Sequence, residues 1–420
     1  MRFLHCADIH LDSPLRGLSA HGDAPAERLR GATRRAFERV VSLAIEEDTA
    51  FVVIAGDLYD GDRDDFQTAI YLQRQLHTLR EAGIPVTIAY GNHDAANLIT
   101  ARLQLPDGVD VFPHDQAGRM ELPDARAVLF GRSYGRRSEF EDLSSDYGEP
   151  EPGVLNVGVL HTALDGQYGH DPYAPCTLDS LVGHGYAYWA LGHVHQRNEL
   201  VRTGVHVVFP GNTCGRHINE PGSKGATVVT YEGDRILEVT HHPLAPVEWT
   251  TARIDATEAG SPAAVAELAS AELARLRASS AVELFVARVQ ITAREEVHGR
   301  WLVEAERYEA QVRADAAGSG DDVWLERIII EPRASGARIG EEMLGPELAA
   351  RLDQLRRPSD IGVTPVELLS SLRSAFGAER AHATEMGALG LDDDSIDDLA
   401  GAAAALLAAE LGEPMQRRST

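Results

Sequence analysis

The chain has 420 residues, 44% of them apolar, too many for one typical domain and enough for more than one core. Its net charge of −26, from 65 acidic and 39 basic side chains, argues against a protein that grips nucleic acid over a broad basic face. No apolar run approaches membrane-spanning length, and no basic region followed by an apolar stretch marks a leader. The three cysteines, Cys6, Cys176 and Cys214, lack metal-site spacing and suit a reduced, cytoplasmic protein.

In chain order, short apolar runs predict buried strands at 2–6, 51–55, 86–90, 154–160 and 186–191. Amphipathic helices are expected between the first three, at 27–47 and 65–82, with Ala36, Val40, Leu43 and Ala44 on one stripe. The polar, acidic stretch 136–152 reads as a flexible loop. Short β runs follow at 205–209, 226–231 and 235–241, separated by turns such as Glu232-Gly233-Asp234. A boundary is expected near 246–252. Beyond it come strand 249–254, helix 262–278, strand 282–292, helix 298–316 and strand 323–330, a small α/β domain. Trp301, Ala305, Tyr308 and Val312 share a helix face and read as core. Three further helices are expected at 339–355, 365–376 and 395–411, the last with an acidic first turn and a Ser395–Asp398 start resembling a capping box.

Each of the first five strands runs into a polar motif. These are Asp8-Ile9-His10, Gly56-Asp57-Leu58-Tyr59-Asp60, Gly91-Asn92-His93-Asp94, a lone His161, and Gly192-His193-Val194-His195. In open α/β sheets ligands bind at the carboxyl ends of strands, so the five ends are expected to deliver Asp, His and Asn to one edge of one sheet. Oxygen and imidazole donors without thiolate are a divalent-metal inventory. Two cations roughly 3.5–4 Å apart can clamp the attacking and leaving oxygens of a phosphate ester, and one carboxylate must bridge them. Asp57, at the mouth of a central strand, is placed for that role. Asp8 and His10, and likewise His193 and His195, lie two apart on segments expected to be extended, so each pair projects from one face. Asn92 offers a neutral oxygen. His93 remains as a candidate proton donor to the leaving oxygen. Singly, these motifs more often mark turns or caps; Asn92-His93 could simply cap a helix from Ala95.

The five motifs in this order resemble the calcineurin-like metallophosphoesterase superfamily. The opening Phe3-Leu4-His5-Cys6-Ala7-Asp8-Ile9-His10-Leu11, with Leu160-His161-Thr162, the run from Gly169 to Cys176, and Phe209-Pro210-Gly211-Asn212-Thr213, is similar to SbcD-type DNA repair exonucleases and to their YhaO-like bacterial branch. The resemblance is strong over roughly the first 245 residues and weak over the next hundred. It implies an α/β/β/α sandwich over 1–246, a small α/β capping domain over 247–332, and a C-terminal helical, partner-binding region over 333–420. It further implies that Asp8, His10, Asp57 and His195 hold one metal and that Asp57, Asn92, His161 and His193 hold the other. Asp60 would orient His93 in a catalytic dyad. Mn²⁺ is the metal the resemblance favours.

The expected activity is therefore two-metal hydrolysis of DNA by the nuclease subunit of an SbcCD-like repair complex. Its partners would be DNA, a coiled-coil SMC-like ABC ATPase docked on the C-terminal helices, and a second copy of the chain, with no membrane. No Gly-x-x-x-x-Gly-Lys-Ser/Thr occurs here, so the ATPase must be another chain. The acidic charge keeps two alternatives open: a stand-alone phosphoesterase acting on small esters, and a scaffold with a vestigial site. Arginines near the motifs, Arg34, Arg35, Arg132, Arg136, Arg137 and Arg216, read as solvated surface charges more than as phosphate contacts.

Overall fold

The computed structural model describes residues 1–13, 29, 31–60, 66–95, 105–164, 173–318 and 322–333. The three C-terminal helices expected from the sequence, and the first half of the run from Gly169 to Cys176, lie outside the described residues. The chain forms two compact units. The first comprises Met1–Thr251, Arg277–Ala287 and Asp322–Glu326, and the second comprises Ala252–Leu276, Arg288–Asp321 and the chain from Arg327 onward.

Two six-stranded sheets make up the first unit. Strands β1 (Arg2–Cys6), β2 (Val52–Ala55), β3 (Val86–Ala89) and β4 (Val109–Val111) are parallel neighbours in one sheet. Beside β1, the antiparallel β11 (Gly225–Glu232) and β12 (Arg235–Pro243) complete it. The other sheet has the order β5 (Gly118–Leu122), β6 (Ala127–Gly131), β7 (Leu155–His161), β8 (Tyr188–Gly192), β10 (Val205–Phe209), β9 (Asn198–Arg202). Its centre, β6-β7-β8-β10, is parallel.

Alternation along each strand sorts side chains to opposite faces, and here both faces are buried. On β1 and β2, Leu4, Cys6, Val52 and Ile54 meet helices α1 (Ala32–Glu46) and α2 (Phe66–Glu81). Their alternates Phe3, Phe51, Val53 and Ala55 face the second sheet, against Val157, Val159, Tyr188 and Ala190. Phe3 stacks on Phe51 at 4.8 Å and meets Tyr188 edge-on at 5.2 Å. Burying each such aliphatic or aromatic side chain contributes about 1.5–3 kcal/mol. The outer face of the second sheet, with Trp189 and Leu191, is covered by α4 (Leu178–Gly183) and by Tyr134, Leu143 and Tyr147. The segment expected to be flexible is thus anchored: Leu143, Ser144 and Tyr147 are buried, and the Tyr147 hydroxyl donates to Val159 O at 2.7 Å. The first sheet's helices, its partner sheet and the far-side cover give the expected α/β/β/α layering. A one-turn helix, α3 (Asn92–Ala95), follows β3.

Strands β13 (Val247–Ala256), β14 (Leu284–Ala293) and β15 (Val323–Pro332) form a third sheet in the order of the chain. In the second unit, α5 (Pro262–Ala278) buries Val265, Ala266, Ala269 and Leu273. The single helix expected at 298–316 is two, α6 (Glu295–Val303) and α7 (Ala305–Gly318), with a non-helical Glu304 at the break. The break lets Trp301 stack on Tyr308 at 5.1 Å, and Trp301, Tyr308 and Val312 are core residues, as their shared face suggested.

Candidate metal centre and active site

The strand ends come from two sheets, not from one edge of one sheet. Asp8, Asp57 and Asn92 follow β1, β2 and β3; His161 ends β7; and His193 and His195 follow β8. The sequence periods are identical for strands of either sheet, so only the pairing decides this. The close approach of the sheets at this end requires glycine. A Cβ on Gly192 would lie 1.8 Å from Ala55 O, and one on Gly56, at φ +94°, 2.3 Å from His161 Nδ1.

The segments carrying the donors are not extended. Asp8, His10, Asp57 and His193 have φ of 50°, 45°, 54° and 94°, the left-handed region that costs non-glycine residues energy. Hydrogen bonds across the strand ends hold these turns: Asp8 N to Gly56 O, His10 N to Asp57 O, and His193 N to both oxygens of Asp8, all at 3.0–3.1 Å. The Asp8–His10 pair still converges. Donor atoms of Asp8, His10 and His195 lie within 4.8 Å of one another, as do those of Asp8, Asp57 and His161. His193 packs its ring 5.1 Å from that of His161.

The donor set suits cations. His161 Nδ1 donates to Ala55 O at 3.0 Å, so the neutral ring turns its Nε2 lone pair toward Asn92 Oδ1, at 3.0 Å, and Asp57 Oδ2, at 3.5 Å. Three acceptors that face one another in a buried site are the arrangement a divalent ion satisfies. His10 Nε2 lies 3.2 Å from His195 Nε2 and 3.8 Å from Asp57 Oδ2, and His195 Nε2 lies 3.8 Å from Asp8 Oδ1. Buried His10 Nδ1 has no hydrogen-bond partner among the described residues. Burial, then the charge of Asp57, pushes the carboxyl of Asp8 well above its ordinary range. Burial likewise holds His10 and His161 below the ordinary imidazole value, so both rings stay neutral and able to ligate.

His93 stands apart in exposure. Its side chain is 27% accessible, against 0–1% for His161 and His10, and its backbone N–H is pinned to Asp57 Oδ1 at 3.0 Å. Asp60 Oδ1 is 3.8 Å from His93 Nδ1 and 3.7 Å from His10 Nδ1, beyond hydrogen-bond length from both. The Asp60 carboxylate accepts instead from Ser13 Oγ at 2.7 Å and Arg216 Nη1 at 3.4 Å.

Several residues that shape this site were missed in the sequence. Buried Asp94 accepts from the N–H groups of Leu58, Tyr59 and Gly91, tying the second motif to the third. Burial, then Asp57, raises its pKa to about 8. Asp12 binds the Arg34 guanidinium and the Thr68 hydroxyl, fixing the end of the first motif to α1 and α2. Glu220 Oε1 accepts from His195 Nδ1 at 2.7 Å. Burial opposes its charge, but hydrogen bonds from His195 and Arg216 hold it far below the usual carboxylate range. Arg216 is no solvated surface charge: its side chain is 13% exposed and binds Glu220. Asp94 and Asp12 sit within or beside motifs, where their acidity was a usable signal. Glu220 lies 25 positions after His195, at a separation with no local period to reveal it.

The chain belongs to the calcineurin-like metallophosphoesterases, a family that uses divalent metal ions, and carries a candidate site for them. Residues 1–197 match the family described as calcineurin-like phosphoesterase, and residues 249–333 match the middle domain of metallophosphoesterase YhaO. Metallophosphoesterase YhaO of Bacillus subtilis is 33% identical over 309 residues, covering 73% of this chain and 74% of that protein. The DNA double-strand break repair protein Mre11 of Methanopyrus kandleri is 23% identical over 278 residues, 60% of this chain and 58% of that one. Among solved structures, a dimetal phosphatase from Danio rerio aligns with 58% of this chain and 99% of its own, at 12% identity and a TM-score of 0.36. No helix among the described residues is long and apolar enough to cross a membrane.

Proposed function

We propose that this phosphoesterase hydrolyses DNA phosphodiesters with two divalent cations, Mn²⁺ above all, as the cytoplasmic nuclease subunit of a complex with a coiled-coil ABC ATPase. The observation that carries the reading is the convergence of acceptor atoms from buried Asp8, His10, Asp57, Asn92 and His161 and half-buried His195 beside a more accessible imidazole, His93. The similarity to proteins named for DNA double-strand break repair supports the choice of DNA. Asp8, His10, Asp57 and His195 would hold one cation, and Asp57, Asn92, His161 and His193 the other. Bound cations would supply charge neutralisation at the phosphate and activation of a water.

The remaining work falls to the chain. His93 donates a proton to the leaving oxygen, its backbone anchored to Asp57 and its ring open to substrate. Asp60, which accepts from Ser13 and Arg216 and lies 3.8 Å from His93 Nδ1, would orient that ring. The α/β region 247–332 would select the form of DNA. The C-terminal residues would dock on the ATPase, and the nuclease would work as a homodimer.

The net charge of −26 favours a second reading, a stand-alone enzyme on small esters. Incubating the full chain and Mn²⁺ with end-labelled linear duplex and, separately, with bis(4-nitrophenyl) phosphate decides between them. Cleavage of both is expected. Hydrolysis of the ester with intact DNA selects the second reading, and activity on neither leaves a scaffold.

A further inference from the structure

The segment between β10 and β11 supplies no residue to the metal ligands, yet it surrounds one of them. Glu220 is 5% exposed and engages donors with both oxygens. Oε1 accepts from His195 Nδ1 at 2.7 Å and Arg216 Nη2 at 2.8 Å, and it lies 3.4 Å from His217 Nε2. Oε2 accepts from the backbone N–H of Arg216 at 2.8 Å and from Asn212 Nδ2 at 2.9 Å. Arg216 Nε lies 3.3–3.4 Å from the two oxygens. Asn212 and the Arg216 N–H fix Oε2, and the Arg216 guanidinium helps to hold Oε1 against His195. Lys224 Nζ donates to His195 O at 2.6 Å and holds the same residue by its backbone.

We infer that Glu220 is a positioning residue for the metal centre: it selects the Nδ1–H tautomer of His195 and so turns the Nε2 lone pair inward, toward His10 and Asp8. A carboxylate can only accept, so a 2.7 Å contact places the proton on Nδ1. Arg216 Nη2, at 3.3 Å from the same nitrogen, asks for the opposite tautomer, and the shorter, charge-assisted contact prevails. With Nδ1 protonated, Nε2 is the ligating atom and faces His10 Nε2 at 3.2 Å. Carboxylates behind metal-bound imidazoles act in this way, and removing one weakens metal affinity by roughly 10–100-fold. The inference rests on His195 being a ligand.

The substitution that removes the acceptor while keeping most of the volume is Glu220→Leu. With no acceptor at position 220, Arg216 Nη2, 3.3 Å from His195 Nδ1, is the group that faces this nitrogen and favours the proton on Nε2, where a cation must bind. In cation-free protein labelled with ¹⁵N-histidine, with His195 assigned from an H195Q sample, the wild-type ring should be Nδ1–H and the E220L ring Nε2–H. By calorimetry, Mn²⁺ affinity should fall roughly 10–100-fold at one site and hold at the other. E220A, which removes the same acceptor, serves in the same measurements if circular dichroism shows that E220L does not fold. An unchanged tautomer, or an affinity equal to wild type, overturns the inference. Failure of the wild-type chain itself to bind two ions overturns the metal assignment on which it stands.

Discussion

At the residue scale the proposed site divides into groups that would touch cations or substrate and groups that would aim them. Among the described residues, Asp57 is the carboxylate that lies within 4 Å of both His10 and His161, one from each half of the donor set. Asp57→Asn should remove the shared negative charge and lose at least one ion, along with most activity, by elemental analysis and ester hydrolysis; retention of two ions and full turnover would contradict the bridging role. His93→Ala should keep both ions and lower turnover by roughly 10²–10⁴, the usual worth of a general acid. Loss of metal in that variant would make His93 a ligand. These residues were legible in the sequence because metal and phosphate chemistry demands particular side chains, and here they sit in compact motifs behind strands. Glu220 and Arg216 were not, because a second layer needs only to reach the first in space.

At the element scale, periodicity found the strands that carry the motifs and the helices α1, α2 and α5 within a few residues. The amphipathic stripe Ala36, Val40, Leu43 and Ala44 is buried in full. Strands β4, β5 and β9 escaped notice, since short runs such as Gly118–Leu122 alternate without a strong apolar face, and β6, although wholly apolar and buried, was missed because no polar motif follows it. The junction of the two sheets is set by glycine. Gly192→Ala would push a methyl into Ala55 O and displace His161, destabilising the first unit by about 3 kcal/mol, the upper part of the overpacking range, in a urea titration. A variant as stable as the parent would show that the strand ends can separate freely. In the second unit, Trp301→Ala should cost about 3–5 kcal/mol, because it empties the stack on Tyr308; calorimetry would register a lower transition for this unit.

At the scale of the whole molecule, buried imidazoles make stability depend on pH. Burial lowers the pKa of His5 to about 3 and of His241 to about 4, from the ordinary 6.5. Unfolding restores the ordinary value, so below it the unfolded chain takes up protons that the folded chain refuses. The contribution of these two imidazoles is therefore full above pH 6.5 and is lost as the pH drops from about 6.5 toward 4, while buried Asp94, raised to about 8, acts in the opposite sense. Measured in chelator so that metal release does not intervene, the urea midpoint of His5→Phe should gain on that of the parent as the pH falls through that window. An equal slope in the variant would count against the assignment. Truncation after Pro332 should leave the metal ligands and the ester hydrolysis intact and abolish association with a coiled-coil ATPase. If the shortened chain aggregates or loses metal, the removed residues belong to the core; if it still binds the ATPase, the dock lies elsewhere.

What the sequence determined alone was the chemistry and the local secondary structure: apolar runs of strand length, helical stripes, and Asp, His and Asn placed directly after strands. Both are short-range properties, fixed by side-chain type and by backbone period. Tertiary structure decided how the strands were shared between two sheets, where chains cross closely enough to require Gly56 and Gly192, and which turns bend Asp8, His10 and Asp57 into left-handed geometry. It also decided that Glu220 stands behind His195. Pairing, close approach and second-layer contact are relations between residues far apart in the chain, and no local period encodes them.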